Sequence, residues 1–223
     1  MLFELDPERP VFPPPALADE DGLLAVGGDL SLQRLLNAYS QGIFPWYSEE
    51  TPILWYAPHE RFILYPRKIK ISKSMQKIFA RNDFSFTSNQ CFEQVIYNCS
   101  SAYRKDQTGT WIVPDMIKAY IELHQLGFAH SIEVWQKNTL VGGLYGILVG
   151  KVFCGESMFS KVSNASKAAL IYLCQHYDLT LIDCQIHSYH LEKMGAEEMS
   201  QKEYLALLEQ QDYKANGLSE LFL

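Results

Sequence analysis

The sequence predicts an α+β protein: a small N-terminal module over residues 1–60, packed on a larger domain over residues 61–223 with a mixed, mainly antiparallel sheet. Three observations predict it. The first 60 residues carry Phe12-Pro13-Pro14-Pro15, Gly22, Gly27-Gly28, Pro45, Pro52 and Pro58, which punctuate the chain and leave little room for regular structure. From about residue 61, helix-period and strand-period segments follow in the order helices, three antiparallel strands, helix, strand, helix. The length of 223 residues, 48% hydrophobic, suits one large domain or a standard domain with a small one.

Within the N-terminal module one helix stands out. Ser31 can cap it, Leu32, Leu35, Leu36 and Tyr39 share a face, and Gly42 ends it. An aromatic cluster follows, Phe44, Trp46, Tyr47, Trp55 and Tyr56. Beyond it, Ser72 caps a short basic helix whose apolar face holds Met75, Ile78 and Phe79. Asn89 is positioned to cap a second, with Phe92, Val95, Ile96 and Cys99 inward. Pro114 fits the first turn of a third, which carries Ile117, Tyr120, Ile121 and His124 and stops at Gly127. Strands are predicted over Ser131–Gln136, Leu140–Val149 and Val152–Met158, with turns at Lys137-Asn138 and Gly150-Lys151. A helix over Asn164–Tyr177, a strand over Leu179–Gln185 and helical pieces around Leu191 and Leu205 complete the chain. No internal repeat or low-complexity tract is present.

Composition excludes several classes. With 13 Tyr, 12 Phe and 4 Trp and only 20% charged residues, the chain is not intrinsically disordered. Its start, Met1-Leu2-Phe3 followed by Glu4, Asp6 and Glu8, lacks the basic and apolar regions of a secretory signal. The nearly apolar run from Leu140 to Gly150 is too short to span a bilayer. Five cysteines, an odd number with no C-x-x-C pair, suggest neither a disulfide framework nor a zinc site. A cytoplasmic protein with reduced thiols, no membrane and no metal is expected, with a monomer as the default.

The net charge of -7 hides an asymmetry. Residues 1–30 hold seven acids (Glu4, Asp6, Glu8, Asp19, Glu20, Asp21, Asp29) against Arg9 alone. Residues 61–82 hold seven bases and no acid: Arg61, Arg67, Lys68, Lys70, Lys73, Lys77 and Arg81. Such a block reads either as a solvated helix face or as a phosphate-binding patch. Basic residues beside exposed aromatics suit a single-stranded nucleic-acid end, where each base–aromatic stack adds about 1–3 kcal/mol. Trp46, in a proline-stiffened loop, and Trp111, just before a helix, read either as core plugs or as stacking platforms.

The predicted order, a meander followed by a β-α-β crossover, is the middle of the GNAT acyltransferase fold. Those enzymes cradle the pyrophosphate of acyl-CoA in a glycine-rich loop; here Ser160 to Lys167 has no glycine. On the third strand, alternation puts Cys154, Glu156 and Met158 on one face and Phe153, Ser157 and Phe159 on the other. A carboxylate at an inward position needs a partner or a task. The last strand brings Asp183 and Gln185 to one face, while Cys184 points away. That pair reads either as structural or as chemical. His187 and His190 have no second cluster with which to hold a metal.

These residues resemble one family. Phe12-Pro13-Pro14, Asp21 to Ala25 with Gly27 to Leu30, Gly42 to Trp46 and Pro52 to Trp55 carry the likeness in the first part. His130 to Trp135, Leu140 to Gly146, Gly155 to Ser160, Asn164 to Lys167 and Leu181 to Gln185 carry it in the second. The chain is similar to leucyl/phenylalanyl-tRNA–protein transferases along nearly its whole length. Tyr56 stands where a second Trp is usual, and Leu144 where Met is common. The tail past about Tyr213 carries no signature.

The resemblance implies transfer of Leu or Phe, and Met less well, from aminoacyl-tRNA to the α-amino group of proteins beginning with Arg or Lys, marking them for N-degron degradation. It implies a small N-terminal domain on a GNAT-like domain, and no metal or nucleotide cofactor. Carried over by position, it implies Asp183 and Gln185 as the catalytic pair. Trp46 and Trp111 would stack on the terminal adenosine, with Tyr39 and Tyr120 nearby. Leu144, Phe153, Met158 and Leu170 would form the aminoacyl side-chain pocket. Glu156, Ser160 and Asn164 would form the polar acceptor site, and the basic block would meet the tRNA backbone. An acyl-CoA-dependent N-acyltransferase and a non-catalytic RNA-binding module are the alternatives.

Overall fold

The computed structural model describes residues 2–102 and 112–211. A four-stranded sheet in the order β1-β2-β4-β3 opens the chain. It comprises β1 (Phe3–Leu5), β2 (Leu23–Gly27), β3 (Phe44–Pro45) and β4 (Leu54–Tyr56). The sequence predicts scarce regular structure here; strands of two to five residues are too short to show an alternation. Trp55 is their anchor: its ring is fully buried, its Nε1 donates to Gly27 O at 2.9 Å, and Phe12 meets it edge-on.

Helix α1 (Leu32–Ser40) forms as predicted, but the Ser31 hydroxyl donates to Asp29 instead of capping the helix. Gly42 ends it at φ +68°, where a Cβ would stand 3.0 Å from Tyr204 and Leu205. Arg34, on the same helix, is wholly buried. Its guanidinium binds Asp29 and the backbone carbonyls of Asp6, Pro7 and Arg9, tying the N-terminal arm to the helix.

Among the described residues the main sheet has seven strands, in the order β11-β5-β10-β9-β8-β7-β6. They are β5 (Glu60–Leu64), β6 (Ser85–Ser88), β7 (Ala129–Gln136), β8 (Thr139–Val149), β9 (Val152–Ser160), β10 (Leu181–Asp183) and β11 (Glu197–Ser200). In this sheet β9 and β10 pair in parallel, and the other neighbours are antiparallel. The predicted meander is β7-β8-β9, and β10 is shorter than the predicted strand. Three strands escape the sequence reading because β5, β6 and β11 are short and lie next to helices or turns.

Six helices among the described residues accompany this sheet: α2 (Lys73–Ala80), α3 (Phe92–Ser100), α4 (Pro114–Gln125), α5 (Ala165–His176), α6 (Tyr189–Lys193) and α7 (Gln201–Leu208). Ser72 caps α2 through Met75 N–H. Asn89 does not cap α3, whose N-cap is Cys91. Its side chain instead accepts from Ser131 N–H, from a left-handed φ of 58°.

Alternating residues of the long strand β8 serve two cores. Tyr145, Ile147 and Val149 join a core that runs unbroken into the N-terminal module through Tyr39, Ile43 and Trp55. Leu144 and Leu148 join Phe153, Leu170 and Ile182 on the opposite face. On β9 the predicted alternation fails. The register with β8 shifts between Tyr145 and Gly146, so Glu156 is an extra residue between Gly155 and Ser157. This bulge resets the parity. Met158 thereby packs against the core of Phe153, and Phe159 joins the core of Cys154. Gly146 permits it, since a Cβ there would stand 2.3 Å from Cys154 O. We predict that Gly146→Ala costs about 1–3 kcal/mol of stability through this backbone collision, read as a lowered urea midpoint; an unchanged midpoint would show that the bulge tolerates a side chain.

Candidate active site

After Asp183 pairs with Cys154, β10 ends and the two parallel strands part. The gap is a cleft of about 360 Å³. One half is apolar, formed by Leu144, Phe153, Met158 and Leu170. The bulge is what brings Phe153 and Met158 to the same side. Phe44, Trp46 and Tyr145 line the cleft from the other core. Trp46 is half-buried and meets Tyr56 edge-to-face, with centroids 5.5 Å apart. Trp111 lies outside the described residues.

The polar half is a hydrogen-bonded chain of Asp183, Gln185 and Glu156. Asp183 is fully buried. Its Oδ1 accepts from Arg61 Nε at 2.9 Å and from Gln185 N–H at 2.8 Å. Its Oδ2 accepts from Arg61 Nη2 at 2.7 Å and from the Tyr204 hydroxyl at 2.8 Å. A carboxylate offers about four lone-pair sites, and these four bonds occupy them. Asp183 therefore has no free lone pair left to accept a substrate proton in this arrangement.

Gln185 is not a strand residue facing the same way as Asp183. It sits at φ +65°, a conformation uncommon for a residue with a Cβ, held by the Asp183 carboxylate on its N–H. Its Nε2 donates to Glu156 Oε1 at 2.8 Å. Because Glu156 accepts, the Gln185 carbonyl oxygen is turned away from it. Cys184 lines the cleft too; burial first, and Asp183 second, push its thiol up, so it is no thiolate nucleophile.

Glu156, the bulge residue, is buried yet lines the cleft. Tyr39 donates to Oε1 at 2.8 Å and Tyr120 to Oε2 at 3.2 Å. Burial pushes its carboxyl up to about 7, against the lowering effect of the Tyr39 and Tyr120 hydroxyls. The negative charge of Asp183 adds to the rise, and the Gln185 amide opposes it. Tyr39 and Tyr120, also bonded to each other, are buried to 2% and 0% exposure. Neither offers a ring face for stacking; both hold Glu156 from behind. Ser160 and Asn164 do not reach the cleft. Ser160 Oγ donates to Val162 O and accepts from Ser166 N–H at the start of α5, and Asn164 is the left-handed N-cap residue of that helix.

Arg61 likewise leaves the basic block. It is 2% exposed, and its remaining nitrogen donates to Gly42 O at 2.9 Å. β5 is buried on both faces from Arg61 to Leu64, and Arg61 shares its face with Ile63. The other bases of the block, Arg67, Lys68, Lys70, Lys73, Lys77 and Arg81, are exposed, although Lys68 pairs with Glu197 and Arg81 with Asp83. Tyr204, which the sequence reading missed, lies on α7 one turn from the buried Leu208.

Comparison with known proteins decides the family. The model described as leucyl/phenylalanyl-tRNA protein transferase matches residues 63–209, and the model of that transferase's N-terminal domain matches residues 28–59. The chain belongs to the leucyl/phenylalanyl-tRNA–protein transferase family. The transferase of Syntrophobacter fumaroxidans is 51% identical over 93% of this chain and 89% of its own. Those of Psychromonas ingrahamii and Flavobacterium johnsoniae are 53% and 52% identical, over 93% and 88% of this chain and 89% and 94% of their own. A solved protein of unknown function from Staphylococcus epidermidis superposes with a TM-score of 0.44 at 7% identity, covering 80% of this chain and 68% of its own.

In this transferase-family chain the buried ion pair predicts a stability effect. Arg61→Met leaves Asp183 buried without a counter-charge and should cost about 3–5 kcal/mol. Tyr204→Phe removes one bond to a charged group and should cost about 1.5–3 kcal/mol. Urea unfolding measures both, and equal, small losses would contradict the pairing.

Proposed function

We propose that this protein moves a leucyl or phenylalanyl group, and methionyl less well, from its tRNA to the α-amino group of proteins beginning with Arg or Lys. The product is an N-terminus that the N-degron pathway degrades. One observation carries the proposal: an apolar half-cleft ends directly on the Glu156–Gln185 pair. The aminoacyl side chain fits the apolar half of Leu144, Phe153, Met158 and Leu170. Such a pocket discriminates by only about 1–3 kcal/mol per methylene, so Met is accepted too. Trp46 offers a stacking face to the terminal adenosine, with Trp111 as its second platform.

The donor ester is already activated, so aminolysis rests on positioning. The acceptor amine, with a pKa of about 7.7–8, is partly neutral near pH 7. Gln185 presents its carbonyl oxygen to the amine. As the N–C bond forms and the ester C–O bond breaks, Glu156 takes the amine proton and returns it to the departing ribose oxygen. A ribose hydroxyl passing that proton directly would leave Glu156 as a positioner. Asp183 acts through Gln185, as a positioning residue. Glu156 also supplies negative charge for an N-terminal Arg or Lys.

The architecture supports a GNAT-like domain over residues 61–223 with a small module over 1–60. The β7-β8-β9 meander, the α5 crossover and the parting of β9 from β10 are features of that fold. No helix among the described residues is long and apolar enough to cross a membrane.

The direct test is incubation with Leu-tRNA and an Arg-starting peptide; no leucyl-peptide would overturn the assignment. With Glu156 holding its proton up to about pH 7, kcat should rise with pH through that value. Glu156→Gln should lower kcat by about 10²–10⁴-fold and remove that limb, leaving only the amine's limb near pH 8. A variant profile matching wild type would assign the proton elsewhere. Gln185→Ala should lower kcat while leaving tRNA affinity within a few fold. Lys73→Ala with Lys77→Ala should weaken tRNA binding and flatten its salt dependence; an unaltered slope would move the tRNA footprint off α2.

A further inference from the structure

His190, on α6, lines the cleft beside Leu191, yet it makes no hydrogen bond to any described residue. Two lysines stand one helical turn from cleft-lining residues, Lys193 from His190 on α6 and Lys167 from Leu170 on α5. Both stand close enough to oppose its protonation, behind the larger effect of burial, which lowers its affinity for a proton. Neither lysine is in an ion pair with a described residue. The neighbouring acid Glu192 is turned to His187 at 3.3 Å, and Glu197 is taken by Lys68.

This cationic rim joins the exposed basic block. The turn after α6 is fastened to the segment before α2, since Lys70 N–H donates to Met194 O at 2.8 Å. Lys70 also packs beside Gly195. Lys70 thus lies beside the turn that follows Lys193, and Lys193 is one helical turn from the cleft-lining His190. Sequence separates Lys70 from Lys193 by more than a hundred residues; the fold brings them together at the side of the cleft that His190 lines.

We propose that Lys167, His190 and Lys193 bind the phosphodiester backbone at the 3′ end of the donor RNA where it enters the cleft. The inference rests on the transferase reading, since it takes aminoacyl-tRNA as the donor. The lysines supply charge, and an imidazole N–H of the cleft-lining His190 donates to a phosphate oxygen. A cationic rim also disfavours an acceptor beginning with Arg or Lys, so it assigns this side of the cleft to the donor.

Two donors test the proposal with the full chain: Leu-tRNA, and phenylalanyl-adenosine, which has the terminal nucleoside but no phosphodiester. Lys167→Ala with Lys193→Ala should raise KM for Leu-tRNA about tenfold and lower its salt slope by about 0.7 for each phosphate no longer neutralised. Transfer from phenylalanyl-adenosine should stay within twofold of wild type, and Lys193→Arg should retain the KM for Leu-tRNA. An unchanged KM and slope with Leu-tRNA would overturn the proposal. So would an equal loss with both donors, which marks a structural role. A wild-type protein inactive with both donors would instead overturn the transferase reading itself.

Discussion

Everything polar in the cleft depends on one buried ion pair. Arg61 on β5 and Asp183 at the end of β10 lie on neighbouring strands and meet through two hydrogen bonds of 2.9 and 2.7 Å. The pair is desolvated, and its burial is tolerable because every remaining site on the carboxylate is filled, by Tyr204 and by the Gln185 backbone. Arg61 also grips Gly42 O, so the pair fastens the end of α1 to the main sheet. Remove either charge and three things lose their support together: the join to the N-terminal module, the seat of α7, and the left-handed turn at Gln185.

Two carboxylates share this site and are given opposite tasks by their surroundings. Asp183 faces a guanidinium and stays locked. Glu156 faces phenolic hydroxyls and an amide, none of them charged, and burial raises its carboxyl to about 7. One carboxyl is thus tied up in an ion pair, while the other exchanges its proton near neutrality. The bulge is the backbone device behind it. Without the extra residue, Glu156 would share a face with Met158, and either Glu156 or the apolar half of the cleft would lose its place.

Much of this is legible in the residues. Helix spacing locates α1, α2, α4 and α5, and strand spacing locates the meander, because long elements average over local exceptions. The pocket residues Leu144, Phe153, Met158 and Leu170 are carried by the family resemblance, although strict alternation would have separated Phe153 from Met158. What stays hidden is tertiary. Arg61 belongs by composition to a basic block and by register to the core. Tyr39 and Tyr120 are expected only to lie near the terminal adenosine, and nothing in their spacing shows that the fold turns both hydroxyls onto Glu156. Asp183 and Gln185, two apart, suggest a shared face, which the left-handed φ at Gln185 breaks. Lys193 and His190 acquire meaning only when α6 is laid against the segment before α2.

The central claim is that Gln185 and Glu156 form one coupled proton site, held in place by the Arg61–Asp183 pair. The side-chain amide resonances of Gln185, followed by NMR from pH 5 to pH 9, test it most directly. If Gln185 donates to a carboxylate that titrates near 7, its amide proton shift moves with a midpoint close to pH 7. An amide shift that stays flat over this range, or that finishes moving near the ordinary glutamate value of about 4.3, would contradict the account.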